Sequence, residues 1–498
     1  MAGFVSKQDE KYRDYALNGP ILKVLFGVCM PLAIYQAMQA IFKTIDALMA
    51  AHIGSQAVSA ISSLSQITLM VTAVGSALAV GGSIRVSESY GKGDYDDVRR
   101  KCATLYVSAI VIGVLIAAIL IPFAVPFLKL LATPQELIDE GVGYFRVEIL
   151  ILSLSFFNTV YIAIERSRGH SKKLMALNIM VIIIKLVFSA VFIYVLQCGV
   201  IMIAVATMIS QLTLFIVAVI SMIRDTGCFK FEFKYASFKK ETLLPILQLS
   251  YPVAAQKILF AAGKVIVNSM SGMYGALTVG ALGISNNIGG LTTNWHSGTH
   301  DGASSLVSQN RGAGKYKRTV GVFWRLLFID VIIGAIGYTI VSFTLPWLAE
   351  IFAKSKDSFD SGFCQMIVDI HRYEMIGYIT LGIASAADAF LIGMGRAKTV
   401  MFLNLARVFI FRVPVLFFLQ RFTNMGAEAV GVTMMVSNVS TGIISFIAVM
   451  PIVIKTGKME DATEASEADS SETLTEDVPE ASESDKADSN STENDSNK

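Results

Sequence analysis

Stretches of about twenty or more mostly apolar residues recur along the chain, separated by short polar turns. They fall at 22–50, 57–87, 103–128, 143–165, 174–197, 200–223, 244–272, 276–308, 320–352, 369–393, 398–420 and 427–455. A helix of that length crosses the roughly 30 Å hydrocarbon core of a bilayer. The pattern therefore predicts an all-α integral membrane protein with twelve transmembrane helices. The first stretch is too long, and too polar within, for a signal peptide, and no small-residue cleavage site follows it. It is expected to remain as the first span.

The spans are duplicated. Residues 31–95 align without a gap on residues 252–316: Pro31 on Pro252, Lys43 on Lys264, Gly54 on Gly275, Gly81 on Gly302, and Gly91 and Gly93 on Gly312 and Gly314. Further on, Arg146 and Glu148 match Arg372 and Glu374, while Gly169, Lys172 and Asn178 match Gly395, Lys398 and Asn404. A period this long indicates two copies of one bundle rather than a solenoid. Each copy holds six spans, an even number, so both enter the membrane from the same side. That is a parallel pseudo-twofold repeat about the membrane normal. The expected units are a cytoplasmic N-terminus (1–21), an N-terminal lobe (22–224), a basic linker (225–243), a C-terminal lobe (244–456) and an acidic disordered tail (457–498).

Composition agrees: 54% hydrophobic and 16% charged is too apolar for a soluble domain. Charge sets orientation. The turns on the N-terminal side carry Arg99-Arg100-Lys101, Lys172-Lys173 and Lys317-Arg318, whereas Lys129, Lys354, Lys356 and Arg421 are the cations on the other side. By the positive-inside rule both termini are cytoplasmic. The net charge of +2 conceals a tail, 459–498, with 14 acidic residues and two lysines, rich in Ser and Thr and without a core. It reads as a solvating appendage, or alternatively as a contact for basic cytoplasmic loops. Five cysteines, Cys29, Cys102, Cys198, Cys228 and Cys364, have no paired spacing and are expected to be reduced.

Several motifs together are similar to the multidrug and toxic compound extrusion (MATE) family, within the wider flippase superfamily. These are Pro31 to Asp46 with Met49 and Gly54; Gly199-Val200 with Ala206-Thr207-Met208-Ile209-Ser210-Gln211; Tyr274-Gly275-Ala276 followed by Ser308-Gln309-Asn310-Arg311-Gly312-Ala313-Gly314; and Arg412-Val413-Pro414. The resemblance spans residues 20–455. It implies a V of two lobes around a cavity that opens alternately to each side, and an antiporter expelling drugs or metabolites against sodium ions or protons. It gives Asp46 the part of coupling carboxylate, with Thr207 nearby in the sixth-span motif.

The chain also departs from that pattern. Where the family's fifth span has an asparagine and, four residues on, an aspartate, this chain has Lys185 and Ser189. Residues four apart share a helix face, so both are expected to look toward Asp46. Lys43 lies one turn before Asp46, at ion-pair spacing. A lysine beside Asp46 favours the ionised carboxylate and takes the place of a sodium ion. Either Lys185 or Lys43 is thus a candidate internal counter-ion, or part of a static pair that fixes packing. The seventh span adds Lys257, Lys264 and Asn268, and the eleventh adds Arg407 and Arg412. Long basic side chains can snorkel to the interface, the plainer reading of Arg407 and Lys257. The eighth span is the most polar, with Asn286-Asn287, Thr292-Thr293-Asn294, His296, His300 and Asp301, so it should line a wet cavity. The histidines suit proton relay or hydrogen bonding to a substrate better than metal binding, for which a third ligand is lacking. Glu148 and Glu374, with Arg146 and Arg372 near the outer ends of their spans, are expected as symmetric ion pairs or interfacial anchors.

The expected function is secondary active export of small organic molecules by alternating access. A proton or sodium gradient drives it, and lysines in the cavity favour anionic or zwitterionic cargo. The alternatives are a flippase for an anionic lipid-linked precursor and a membrane-embedded metal-dependent enzyme centred on His296, His300 and Asp301. No P-loop is present, so ATP-driven pumping by this chain is not expected. Neither are cofactors, a resident metal, enzymatic activity or nucleic-acid partners. A monomer in a bacterial plasma membrane is expected.

Overall fold

The computed structural model describes the backbone of residues 6–51, 55–130, 135–197, 201–353 and 361–473. The side chains of residues 43–44, 46–71, 130–141, 276, 352 and 460–473 lie outside the described set. Among the described residues the protein is helical throughout. The first lobe comprises α2 (Ile21–Ala51), α3 (Ser55–Lys92), α4 (Tyr95–Leu120), the short α5 (Ala124–Leu130), α6 (Gln135–Ser167), α7 (Ser171–Ala190) and α8 (Ile201–Arg224). The second comprises α9 (Lys240–Ser271), α10 (Ala276–Gly312), α11 (Tyr316–Ala353), α12 (Ser361–Glu374), α13 (Tyr378–Gly393), α14 (Ala397–Phe409), α15 (Val413–Phe422) and α16 (Glu428–Thr473). An additional helix, α1 (Lys7–Asn18), precedes them.

Two spans are broken. A 3-10 turn at Met375–Gly377 joins α12 to α13, and residues 410–412 interrupt the eleventh span between α14 and α15. Glu374 and Arg412 sit at these breaks. Among the described residues, ten spans are long and apolar enough to cross a membrane on those grounds alone, and α3 and α10 are not among them. Both are nonetheless 38 and 37 residues long, ample to cross. Their Ser- and Gly-rich faces are turned inward, as the seam between the lobes. Large apolar side chains such as Val114, Phe343, Trp347, Phe402 and Ile447 are exposed on the outer surfaces, as faces turned to lipid are.

At the end carrying the basic turns, one continuous hydrophobic cluster joins the lobes. It runs from Leu25 and Cys29 of α2 and Ile84 of α3 to Leu249 of α9, Val307 of α10 and Phe390 of α13. A second cluster fills the first lobe and reaches Ile246 of α9, and the remaining three stay within single lobes.

The backbone of α16 stays helical to Thr473, past the expected start of the tail at 457. The stretch Glu460 to Ala465 is rich in Ala, Glu and Asp, and its Ala and Glu propagate a helix without a core. Residues 474–498 lie outside the described set, as do Cys198, Lys354 and Lys356.

Candidate substrate cavity and inter-lobe gate

The seam is built from small residues at repeat-related positions. Gly91 and Gly312 are mates, and each meets the other lobe backbone to backbone. A Cβ on Gly91 would stand 2.0 Å from the Gln309 carbonyl oxygen, and one on Gly312 would stand 2.1 Å from that of Glu88. Gln309 is itself the mate of Glu88. One level further in, Gly81 lies against Ser250 of α9 and Gly302 against Cys29 of α2, again mate for mate. Between these levels Ser87 hydrogen-bonds to Ser305 at 2.9 Å, and the Ser308 hydroxyl donates to the Ile84 carbonyl at 2.7 Å. Gly93 and Gly314, just past the helix ends, take φ of 81° and 73°, which only glycine adopts without strain. These repeat-related glycines therefore divide: 93 and 314 turn the chain, whereas 91 and 312 let the lobes touch. Above this gate, Arg166 of α6 reaches Asp301 of α10 at 2.5 Å, an ion pair between the lobes.

Beyond that pair a cavity of about 550 Å³ opens into the C-terminal lobe. Lys257, Lys264, His296, His300, Asp301 and Arg412 all line it, with Arg407, Glu374 and Asp388. Asn268 does not. It is exposed on α9, about 6 Å nearer the far end than Lys264, and clears the lining. His296 and His300 do not converge. His296 turns to Asp330 (Nδ1 to Oδ1, 3.3 Å), which also accepts from Thr299 at 2.7 Å, while His300 faces Asp301 at 3.4 Å. Among the described residues no cluster could hold a metal ion. Arg407 does not snorkel: it donates to the Asn438 side-chain oxygen at 2.7 Å inside the cavity. Glu374 is not an interfacial anchor either. It is buried, accepts from Ser285 at 2.5 Å, and lies beside His371, whose Nε2 pairs with the Tyr378 hydroxyl at 2.7 Å. Its neighbour Arg372 faces outward against Tyr373. In the other lobe, Glu148 takes the Tyr144 hydroxyl at 3.0 Å and Arg146 is exposed.

A second cavity, of about 660 Å³, lies between the lobes, with Gln39, Thr72 and Ser76 on one side and Lys257, Phe260 and Lys264 on the other. It leads to a pocket of about 250 Å³ inside the N-terminal lobe, lined by Tyr35, Gln39, Asn158, Lys185, Thr207 and Gln211. The structure thus brings Lys185 and Thr207 together. Ser189 is buried just outside that lining, with an unpartnered hydroxyl. The side chains of Lys43 and Asp46 lie outside the described residues.

A family model described as MatE matches residues 31–191 and 252–418, covering one segment of each lobe. The chain belongs to this family. Its relatives include a probable multidrug resistance protein, YoeA, of Bacillus subtilis (22% identical, 81% of this chain and 87% of that protein). Another is the multidrug export protein MepA of Staphylococcus haemolyticus (23%, 82% and 88%). Among solved structures, an outward-facing multidrug resistance MATE family transporter superimposes with a TM-score of 0.85 at 17% identity, over 91% of this chain and 99% of that one. A transporter of the same superfamily from Pyrococcus furiosus, reported as having a binding pocket of reverse polarity, gives 0.84 at 17% over the same shares.

This MATE-family chain carries one feature that the spacing of apolar residues did not reveal. Helix α1 lies across the gate and is fastened to both lobes. At one end Asp9, fully buried, pairs with Arg168 (2.7 and 2.9 Å), and Arg13 donates to the carbonyls of Tyr90 and Gly91. At its other end Arg318 donates to the carbonyl of Ala16 and Lys315 to that of Leu17, cations where a helix dipole favours them. Burial pulls the Arg168 pKa down, but hydrogen bonds to Asp9 and Asp225 more than reverse this, so the guanidinium stays charged. The sequence signal was Ser6 three residues before Asp9: the Ser6 oxygen accepts the Asp9 N–H at 3.1 Å and caps the helix.

Proposed function

We propose that the chain is a secondary active exporter of small organic molecules working by alternating access, with a cavity suited to anionic or zwitterionic cargo. One observation carries the reading, the charge of the C-lobe wall. Lys257, Arg407 and Arg412 line it beside Lys264, and the acids there are Glu374, Asp388 and an Asp301 already engaged by Arg166. Charges within a membrane are costly and persist where they bind cargo, ions or each other. A wall with surplus cations favours anions by Coulomb attraction in a medium less polar than water.

Basic turns place the end sealed by the glycine gate in the cytoplasm, together with both termini. The described state is then outward-facing, and export requires the gate to open and the Arg166–Asp301 pair to part. Coupling to an inward proton or sodium gradient is assigned to Asp46, with Lys185 as the counter-ion that must release it; the presence of Lys185 in the N-lobe pocket beside Thr207 supports this. The protein acts as a monomer in a bacterial plasma membrane.

The test is counterflow in liposomes, comparing anionic and cationic dyes under imposed sodium and proton gradients. Accumulation of the anionic dye, lost on Asp46→Asn, is expected. Preference for the cation would overturn the reading of the cavity, and gradient-driven transport intact in Asp46→Asn would overturn the coupling.

A further inference from the structure

Phe260 of α9 has three cations around its ring. Lys264 Nζ lies 5.5 Å from the centroid, and the guanidinium carbons of Arg407 and Arg412 lie 5.5 and 5.8 Å from it. Both arginines donate to one acceptor, the side-chain oxygen of Asn438, at 2.7 and 3.4 Å. Arg412 is 97% buried yet lines the cavity. Among the described residues, neither arginine has a carboxylate within ion-pair distance. The acids on the same wall, Glu374 and Asp388, take hydrogen bonds from the neutral side chains of Ser285 and Asn404, at 2.5 and 3.0 Å, and act on the arginines only from beyond ion-pair distance. Among the described residues the buried Arg407 Nε has no acceptor. Two guanidinium groups converging on one neutral oxygen repel each other, and a buried charge needs a partner of opposite sign. The break at 410–412 adds to this. Arg412 caps α15, so the positive end of that half-helix dipole lies at the same level, as in discontinuous transporter helices that face anionic groups.

We propose that Arg407 and Arg412, with Lys264 across the Phe260 ring, form an oxyanion subsite that seats the carboxylate or phosphate group of an organic anion. Its apolar body lies along Val253, Leu381 and Ala384, which line the same cavity. The planar fork of each guanidinium matches a two-oxygen head. The oxyanion supplies the Arg407 Nε with its missing acceptor. This rests on the anion-favouring reading above and names the place where it acts.

The test is thermal stabilisation of the full-length purified protein, since a ligand bound to the folded state raises Tm by an amount that grows with the logarithm of its concentration over Kd. Benzoate, phenyl phosphate and inorganic phosphate are titrated against the wild type, Arg407→Gln and Arg412→Gln, with a quaternary ammonium dye as the cationic control. The wild type is expected to be stabilised by benzoate, by phenyl phosphate or by both, which separates a carboxylate from a phosphate preference. Either variant should need roughly ten- to hundred-fold more of the same anion, the loss for a charge-assisted pair, and respond to the cation undiminished. Should Arg412→Gln fail to fold, Arg407→Gln, partly exposed, carries the comparison. Equal anion binding by wild type and Arg407→Gln overturns the subsite while leaving the anionic reading standing. A wild type stabilised by the cation and by none of the anions overturns both.

Discussion

Replacing Gly312 by alanine should push the lobes apart at the sealed end. The added Cβ would lie 2.1 Å from the Glu88 carbonyl oxygen, about 1.3 Å short of the 3.4 Å at which ordinary contact begins. The obstructing atom is helical backbone, in the last turn or so of α3, so no side-chain rotation relieves it. Overpacking of this kind costs about 1–3 kcal/mol. The cost falls only on the state in which these surfaces touch, so the balance between closed and open gates should move by roughly 5- to 150-fold. Spin labels at Lys172→Cys and Lys398→Cys, both exposed at the basic end on opposite lobes, would report the change as a longer-distance population once native cysteines are replaced. Gly91→Ala should act alike, because its Cβ would meet the Gln309 oxygen at 2.0 Å. Gly283→Ala in α10, whose Cβ meets nothing within 4 Å, is the control and should leave the distances unchanged. A Gly312→Ala distribution identical to that of the control would refute the claim that this close approach holds the gate shut.

Asp9→Asn should lower thermal stability in detergent by about 3 kcal/mol, the low end for breaking a buried pair, since Arg168 keeps Asp225 and Glu165 as partners. An unchanged unfolding midpoint would show that α1 is not fastened through this residue. Arg166→Gln should favour the state open at the basic end by about 1–2 kcal/mol, seen as a longer label distance, because it leaves Asp301 without its partner across the seam. Lys185→Met should alter the ion dependence of transport more than the half-saturating cargo concentration; the reverse pattern would move Lys185 from coupling to cargo binding.

The two-lobe plan was legible because a gapless repeat and apolar stretches of membrane length are properties of sequence alone. Gly91 and Gly312 stood out as identities within the repeat. Their role depended on which helices pack across the seam, and no spacing within one helix encodes that. Glu374 was misjudged because an acid near the start of an apolar stretch looks interfacial; the turn at 375–377 joins α12 to α13, which puts Glu374 inside the span beside His371. His296 and His300 share a helical spacing yet part company, since Asp330 of α11 captures one of them. Helix α1 escaped notice because it is polar on most of its surface and too short to cross a membrane, and its capping serine lies before any apolar period begins.

The sign of the charge carried by the cargo is the claim on which the rest depends. Currents recorded on a solid-supported membrane bearing the purified protein, after jumps of an amphiphilic carboxylate or of an amphiphilic ammonium, measure it directly. The carboxylate should give a transient current of the polarity of negative charge entering the cavity, reduced in Arg407→Gln, and the ammonium little or none. A current evoked by the ammonium alone would contradict the account.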